Sequence, residues 1–457
     1  MTIIKKSTSS CLTQPNQPNQ YPLAKHTPFI KDGSKNKLSI LDWLWACVFT
    51  LAFTDVVISY FGQSINLPRP WILIIILFSI ASFFSFKDFA KIKPWILIAS
   101  LLLLLSLLIG TVTIDIPASI WLSNNEGLTK VKAADIVTMS AAFFIGLIWT
   151  LRQNNNAYIA ADILLFVTAG HALISIIALL KLYPSIFPII DMPYFKNGIM
   201  ISRPEITTDQ TRQSLYLFAC LCVVFIRKSY IRLIISLAVS LMVIYIILKV
   251  QSRWSAILFA IYILLAYLLS LRYKTQTKST IILLVLIGVI LTVTNLNDII
   301  ALAQDIIWRF GEVDSGYGGR LISILYLFDK LADPSYWLPQ GYANFYNKYK
   351  QAPHSFPTMI YLNAGLVGLI CYFIVAVVPI IILFQKVLNN TATGIHKICF
   401  FMSSYAFLLL MTQPVITHEI FWLITGLAAG AVSRKEKESD QSRPKNRSQR
   451  VIEEVPS

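Results

Sequence analysis

Five arginines and one histidine are the residues in this sequence best suited to chemistry. Arg203 and Arg212 flank Pro204, Asp209 and Gln210. Arg253 closes the turn Gln251-Ser252-Arg253 between two apolar runs, Arg309 follows Trp308, and Arg320 follows Gly318 and Gly319. A guanidinium stays charged and presents a planar fork of donors, which suits phosphate oxygens better than an ammonium does. Several of them at one membrane face would form a receptor for a phosphorylated or pyrophosphorylated lipid. A lone arginine at a helix end is ordinarily an interfacial anchor whose head reaches for water, and Arg309 beside Trp308 fits that description. Arg253, held in a turn of three residues, fits the ligand role better, and Arg203 and Arg212 fit either. His354 comes after a Gly-rich, aromatic stretch and just before Ser355 and Pro357, a helix start. A neutral imidazole there can take a proton from a sugar hydroxyl near neutral pH; the plain alternative is a satisfied interfacial residue. His171 lies within an apolar run, and His418 with Glu419 forms a second polar pair that lacks the arginine context.

The elements that must position these groups are membrane helices. The chain has 457 residues, 56% hydrophobic and 14% charged. Continuous apolar runs of about 18 residues or more read as spanning helices, and runs that do not alternate exclude a strand barrel. The expected class is an all-α polytopic membrane protein with about 12 transmembrane helices. They fall at 38–60, 71–86, 95–114, 136–151, 158–182, 215–226, 233–250, 254–271, 281–296, 359–384, 398–411 and 419–432. Lys and Arg gather in alternate short loops, so the positive-inside bias puts both ends of the chain on the cytoplasmic side. Residues 1–37 form a polar, disordered N-terminal arm, 38–432 one transmembrane domain, and 433–457 a charged, disordered C-terminal tail. Spans nine and ten are separated by a long external loop, 296–358, which holds Arg309, Arg320 and His354. Residues 115–134 and 183–213 are further external segments, and on this topology the five arginines share one face.

Several function classes drop out. The formal charge of +16 suggests nucleic acid, but its distribution over loops and tails is the one that membrane orientation demands, so no nucleic-acid partner is expected. The polar arm is too long for a signal n-region. Cys11, Cys47, Cys220, Cys222, Cys371 and Cys399 include no CxxC pair, and all but Cys11 lie in apolar runs, as packed thiols do. No His or acidic residues stand at metal-ligand spacing, so neither metal nor cofactor is expected. No phosphate-binding loop, dinucleotide fingerprint or nucleophile elbow stands in a credible place. There is no repeat of the kind that marks inverted-repeat transporters.

The chain resembles the O-antigen ligase and polymerase superfamily of bacterial envelope enzymes. The resemblance is architectural over the membrane region and rests on motifs from Arg203 to Gly368. Gln251-Ser252-Arg253-Trp254-Ser255-Ala256 looks like the family's Ser-Arg-small turn entering a span. Gly318-Gly319-Arg320 opens the long loop. Leu338-Pro339-Gln340-Gly341-Tyr342, then Pro353-His354-Ser355, then Ala364-Gly365-Leu366-Val367-Gly368 are similar to the family's glycine turn, histidine and glycine-bearing following helix. The polar patch from Arg203 to Arg212 looks like the family's patch before a span. Tyr342 stands where many members have a second glycine, and Ser355 where Asn is common.

What the resemblance implies is metal-independent, inverting glycosyl transfer at the periplasmic face of the bacterial inner membrane. The donor would be a glycan on undecaprenyl pyrophosphate. The acceptor would be lipid A–core in a ligase, or another lipid-linked repeat in a polymerase of the same superfamily. His354 would be the general base, and Arg253 and Arg320, supported by Arg203 and Arg212, would meet the charge on the leaving pyrophosphate. Two readings from other classes stay open. Asp55, Asp162 and His171 in or near spans would suit a flippase or secondary transporter, and an envelope scaffold would need no site.

Overall fold

The computed structural model describes residues 90–114, 131, 133–152, 318–349, 353, 355–389, 391–411 and 419–434, the backbone of 189–196 and 199–206, and single residues between 169 and 304. Apart from one two-stranded ribbon, the regular structure there is helical. Among the described residues, two helices are long and apolar enough to cross a membrane, α1 (Pro94–Thr113) and α5 (Phe356–Leu388). Three shorter ones pack with them: α2 (Ala133–Arg152), α6 (Gly394–Leu410) and α7 (Glu419–Ser433). These five helices fall where spans are expected at 95–114, 136–151, 359–384, 398–411 and 419–432, and α1 and α5 have the length of one; the other expected spans lie outside the described residues save for isolated positions. So do the N-terminal arm and the tail beyond Arg434.

The helices carry the marks of an apolar solvent. α1 starts on Pro94 in its first turn, where a missing N–H costs nothing. It leaves Ile98, Leu101, Leu105, Leu108 and Val112 exposed along one side, a stripe that water would not tolerate at this size. Hydroxyls within the helices bond back to their own turns: Ser100 Oγ to the Ile96 carbonyl at 2.6 Å, Thr150 Oγ1 to Gly146 at 2.9 Å, Thr425 Oγ1 to Phe421 at 2.9 Å. These hydroxyls are thereby satisfied within their own helices.

Close approach between helices depends on glycine. α2 and α7 pack along their length. A Cβ at Gly146 would run into the Leu423 carbonyl of α7, and one at Gly426 into the Phe143 carbonyl of α2. At Gly430 it would come within 2.5 Å of the Leu147 carbonyl. Gly426 and Gly430, four residues apart, form the small-xxx-small stripe that lets membrane helices touch backbone to backbone. α1 and α5 make a second such contact, with Gly110 against the main chain of Asn363.

At its start, α6 differs from the expected span. It begins four residues earlier, at Gly394, because Thr393 and His396 form a reciprocal cap. The Thr393 N–H donates to His396 Nδ1 at 3.1 Å, so Nδ1 carries no proton and Nε2–H is left to donate to the Ala431 carbonyl of α7 at 3.2 Å. His396 is buried and ties the first turn of α6 to the end of α7, a structural role for a histidine. Cys371 and Cys399 are buried free thiols, in keeping with the packed-thiol reading.

Within the stretch expected as the long loop, 296–358, the described residues form α3 (Gly318–Leu331), a 3-10 turn (Pro334–Tyr336) and α4 (Ala343–Tyr349). Within the expected external segment 183–213, β1 (Ile189–Lys196) and β2 (Ile199–Ile206) pair antiparallel, with Lys196 opposite Ile199 and Met192 opposite Arg203. The two residues between the strands are Asn197 and Gly198, the dipeptide favoured for a two-residue hairpin connection.

Candidate functional site

A break in α5 organises the region around the expected histidine. Gly365 has φ 67° and ψ −168°, a conformation that separates the first nine residues of the helix from the rest. Such a break frees main-chain groups that a membrane helix cannot leave unpaired. Here the segment 337–341 supplies the partners. The Gln340 and Gly341 N–H groups both donate to the Leu362 carbonyl, at 3.0 and 2.8 Å, and the Leu366 N–H donates to the Trp337 carbonyl at 2.8 Å. Gly341 has φ 68° and packs against the Ile114 side chain at the end of α1, where a Cβ would have 2.5 Å.

One buried polar side chain fastens this joint. Asn363 Nδ2 donates to the Tyr342 hydroxyl at 2.6 Å and to the Met359 carbonyl at 2.8 Å, while its Oδ1 accepts from the Val131 N–H at 3.2 Å. Burial pushes the Tyr342 phenol well above its ordinary range. Two parts of the motif, Leu338–Tyr342 and Ala364–Gly368, distant in sequence, are therefore one structural unit. Tyr342 is the partner of Asn363.

Helix α3 lies beside the first turn of α5. Thr358 Oγ1 donates to the Ser323 carbonyl at 2.9 Å, and the Tyr361 hydroxyl to the Lys330 carbonyl at 3.1 Å. Both contacts advance in the same chain direction, so the two helices run in the same general sense and start at the same end. Lys330 sits over the Tyr336 ring, 3.9 Å from its centroid, and Trp337 Nε1 donates to the Leu331 carbonyl at 3.2 Å, which closes the turn between α3 and the joint. Behind them Tyr326, Phe345 and Tyr349 stack edge to face. Burial raises the Tyr326 phenol to about 12, and its hydroxyl has no hydrogen-bond partner.

Among the expected site residues, Arg320 lies in the first turn of α3 and Arg203 in β2. Arg212, Arg253, Arg309 and His354 lie outside the described residues. The neighbours of His354 are described: Pro353 and Ser355 are both buried, and Ser355 is the extended N-cap of α5 (φ −144°, ψ 124°). Phe356, fully buried, anchors this end against Phe421 and Trp422 of α7, with ring centroids 4.8 and 6.1 Å away. Motif and spacing alone do not point to Asn363 or to the Ser355 hydroxyl; an Asn within an apolar run was the available signal for the first. Among the described residues no three His, Cys, Asp or Glu side chains gather as metal ligands do. No family model matches the chain, and no curated protein sequence matches it.

Proposed function

We propose that this chain is an O-antigen ligase-like glycosyltransferase of the bacterial inner membrane, with both termini cytoplasmic and the site on the periplasmic face. It moves a glycan from undecaprenyl pyrophosphate to a lipid A–core or similar glycan acceptor. The observation that carries the reading is the joint at Gly365. It unites the glycine turn at Gly341 with the glycine-bearing helix that follows His354, and it seats them beside the helix that bears Arg320. A backbone break at membrane depth, filled by a loop, is the kind of irregularity that membrane proteins keep at sites.

In this mechanism His354 takes the proton of the acceptor hydroxyl. The hydroxyl oxygen attacks the anomeric carbon from the face opposite the leaving group, and the bond from that carbon to the pyrophosphate oxygen breaks. Undecaprenyl pyrophosphate leaves with its charge met by Arg253 and Arg320, with Arg203 and Arg212 further out. The loop excludes water, so transfer prevails over hydrolysis.

The test is the envelope glycan ladder of a deletion strain complemented with wild type, His354→Ala or Arg253→Ala. The expected result for either variant is a core without polymer while lipid-linked polymer accumulates, with the protein still inserted. A core capped by a single repeat assigns polymerisation instead. Full transfer by His354→Ala overturns the assignment of the base.

A further inference from the structure

The N-terminus of α5 holds a hydroxyl with nothing to bond. Ser355 occupies the N-cap, where a serine oxygen ordinarily accepts from the N–H of the second or third helical residue. Here it makes no such bond. Its Oγ is sealed from solvent, the residue is 1% exposed, and the oxygen has no hydrogen-bond partner. A buried hydroxyl left bare costs free energy, and native structures keep few of them without a reason.

Its setting supplies a reason. α5 is 33 residues long, and its first turn begins Phe356-Pro357-Thr358, so the proline removes one N–H and the uncapped Thr358 N–H faces the N-terminal end. The Ser355 carbonyl is already used by the Met359 N–H at 3.0 Å. α3 begins at the same end, held by the Thr358–Ser323 bond, and opens on Gly318-Gly319-Arg320. The two helices thus run in the same general sense, with their starts on the same side of that bond. Each N-terminus carries partial positive charge, which favours phosphoryl oxygens. Acidic residues are missing from the first turns of both helices, where they would otherwise use that potential internally.

We propose that the paired N-termini of α3 and α5 form an anion cradle in which Ser355 Oγ and the first-turn N–H groups of α5 hold a phosphoryl oxygen of a pyrophosphate. This rests on the transferase reading for its natural ligand, and it adds main-chain donors and one hydroxyl to a site otherwise assigned to guanidinium groups. Ser355 acts here as a binding residue. A fixed dipole needs no reorganisation as charge builds on the leaving group.

The probe is inorganic pyrophosphate, titrated by calorimetry into the full-length protein in lipid nanodiscs, with thermal stability measured in parallel. Wild type is expected to bind. Ser355→Ala is expected to weaken binding roughly tenfold, the loss of one hydrogen bond to a charged group, without lowering thermal stability, because that hydroxyl caps nothing. Ser355→Thr, which keeps the hydroxyl, is expected to restore affinity. Ser355→Asp, which caps the helix with its own carboxylate, is expected to abolish binding while the fold holds. No binding by wild type, or equal binding by all four proteins, overturns the cradle; the latter is what a buried water at Ser355 would produce. Ser355-independent pyrophosphate binding in a protein whose His354→Ala variant loses glycan transfer removes this inference and keeps the transferase. Ser355-dependent binding without glycan transfer in any strain does the reverse.

Discussion

Replacing Gly365 by alanine tests whether the joint in α5 is held by the loop or is a passive kink. Two costs follow from the geometry. First, φ 67° with ψ −168° is a region open to glycine, and holding another residue there costs about 1–3 kcal/mol. Second, the new Cβ would stand 2.5 Å from the Trp337 carbonyl oxygen, 3.1 Å from Pro339 Cδ and 3.2 Å from the Leu338 carbonyl carbon. Two of these contacts are backbone, so a rotamer change cannot relieve them. The loop must retreat, and the Leu366–Trp337 bond is the first to stretch. At about 1 kcal/mol for each bond lost, the expected destabilisation is about 3 kcal/mol or more. The alternative is that the helix straightens and expels the loop, which removes all three joint hydrogen bonds. Amide exchange separates the outcomes: loss of protection at Gln340 and Gly341 with protection kept at Leu366 means a straightened helix, and loss at all three means a sprung joint. Gly341→Ala is the comparison: at φ 68° it carries the same backbone cost, but its Cβ would meet the Ile114 side chain rather than backbone, so the difference between the two variants reports the second cost. If Gly365→Ala unfolds within about 1 kcal/mol of wild type and all three amides stay protected, the reasoning is wrong.

Other expectations follow from the same structure. Asn363→Ala strands the Val131 N–H and the Tyr342 hydroxyl in a dry interior and should cost about 2–4 kcal/mol, measured by denaturant titration in mixed micelles. Gly426→Ala drives a methyl group into the Phe143 carbonyl and should cost about 1–3 kcal/mol by separating α7 from α2; cysteine cross-linking between the two helices reports the gap. Tyr326, raised by burial from 10.0 to about 12, is held neutral by the fold. Its contribution is whole below pH 10.0 and is lost as pH rises through about 12. The difference in phenolate absorbance between wild type and Tyr326→Phe should therefore show one late-titrating phenol, and a midpoint near 10.0 would mean the ring is solvated.

Apolar run length located α1, α2, α5, α6 and α7 to within a few residues, because a continuous apolar run of this length buries its backbone best as a helix. Ends were less legible. α5 begins at Phe356 rather than at 359, since Ser355 and Pro357 set the start, and α6 begins at Gly394, since a histidine cap is not written in hydropathy. The break at Gly365 leaves no trace in run length: Leu362, Ala364, Leu366 and Val367 read as uninterrupted helix. Its determinants are a positive φ and a loop that precedes it by some 25 residues, and tertiary hydrogen bonds decide it. The small-xxx-small stripe at Gly426 and Gly430 was written in the sequence, but counting apolar residues does not register it. The glycine motif contains the two positive-φ residues of the joint, Gly341 and Gly365, and the structure adds Asn363 between them.

The joint also bears on the order in which the chain is assembled. Trp337–Gly341 leaves the ribosome shortly before Gly365, and only a short stretch separates the two halves, so closing that loop carries little entropic cost. The partners of the freed carbonyl and amide are therefore already synthesised when α5 enters the bilayer, and the break can be satisfied as it forms. The α2–α7 contact is different. Gly146 is made early, and its partner Leu423 is made near the end of the chain. Until then the glycine face of α2 has only lipid or other helices against it. Truncation before α7 should thus leave the joint at Gly365 formed but α2 unclamped.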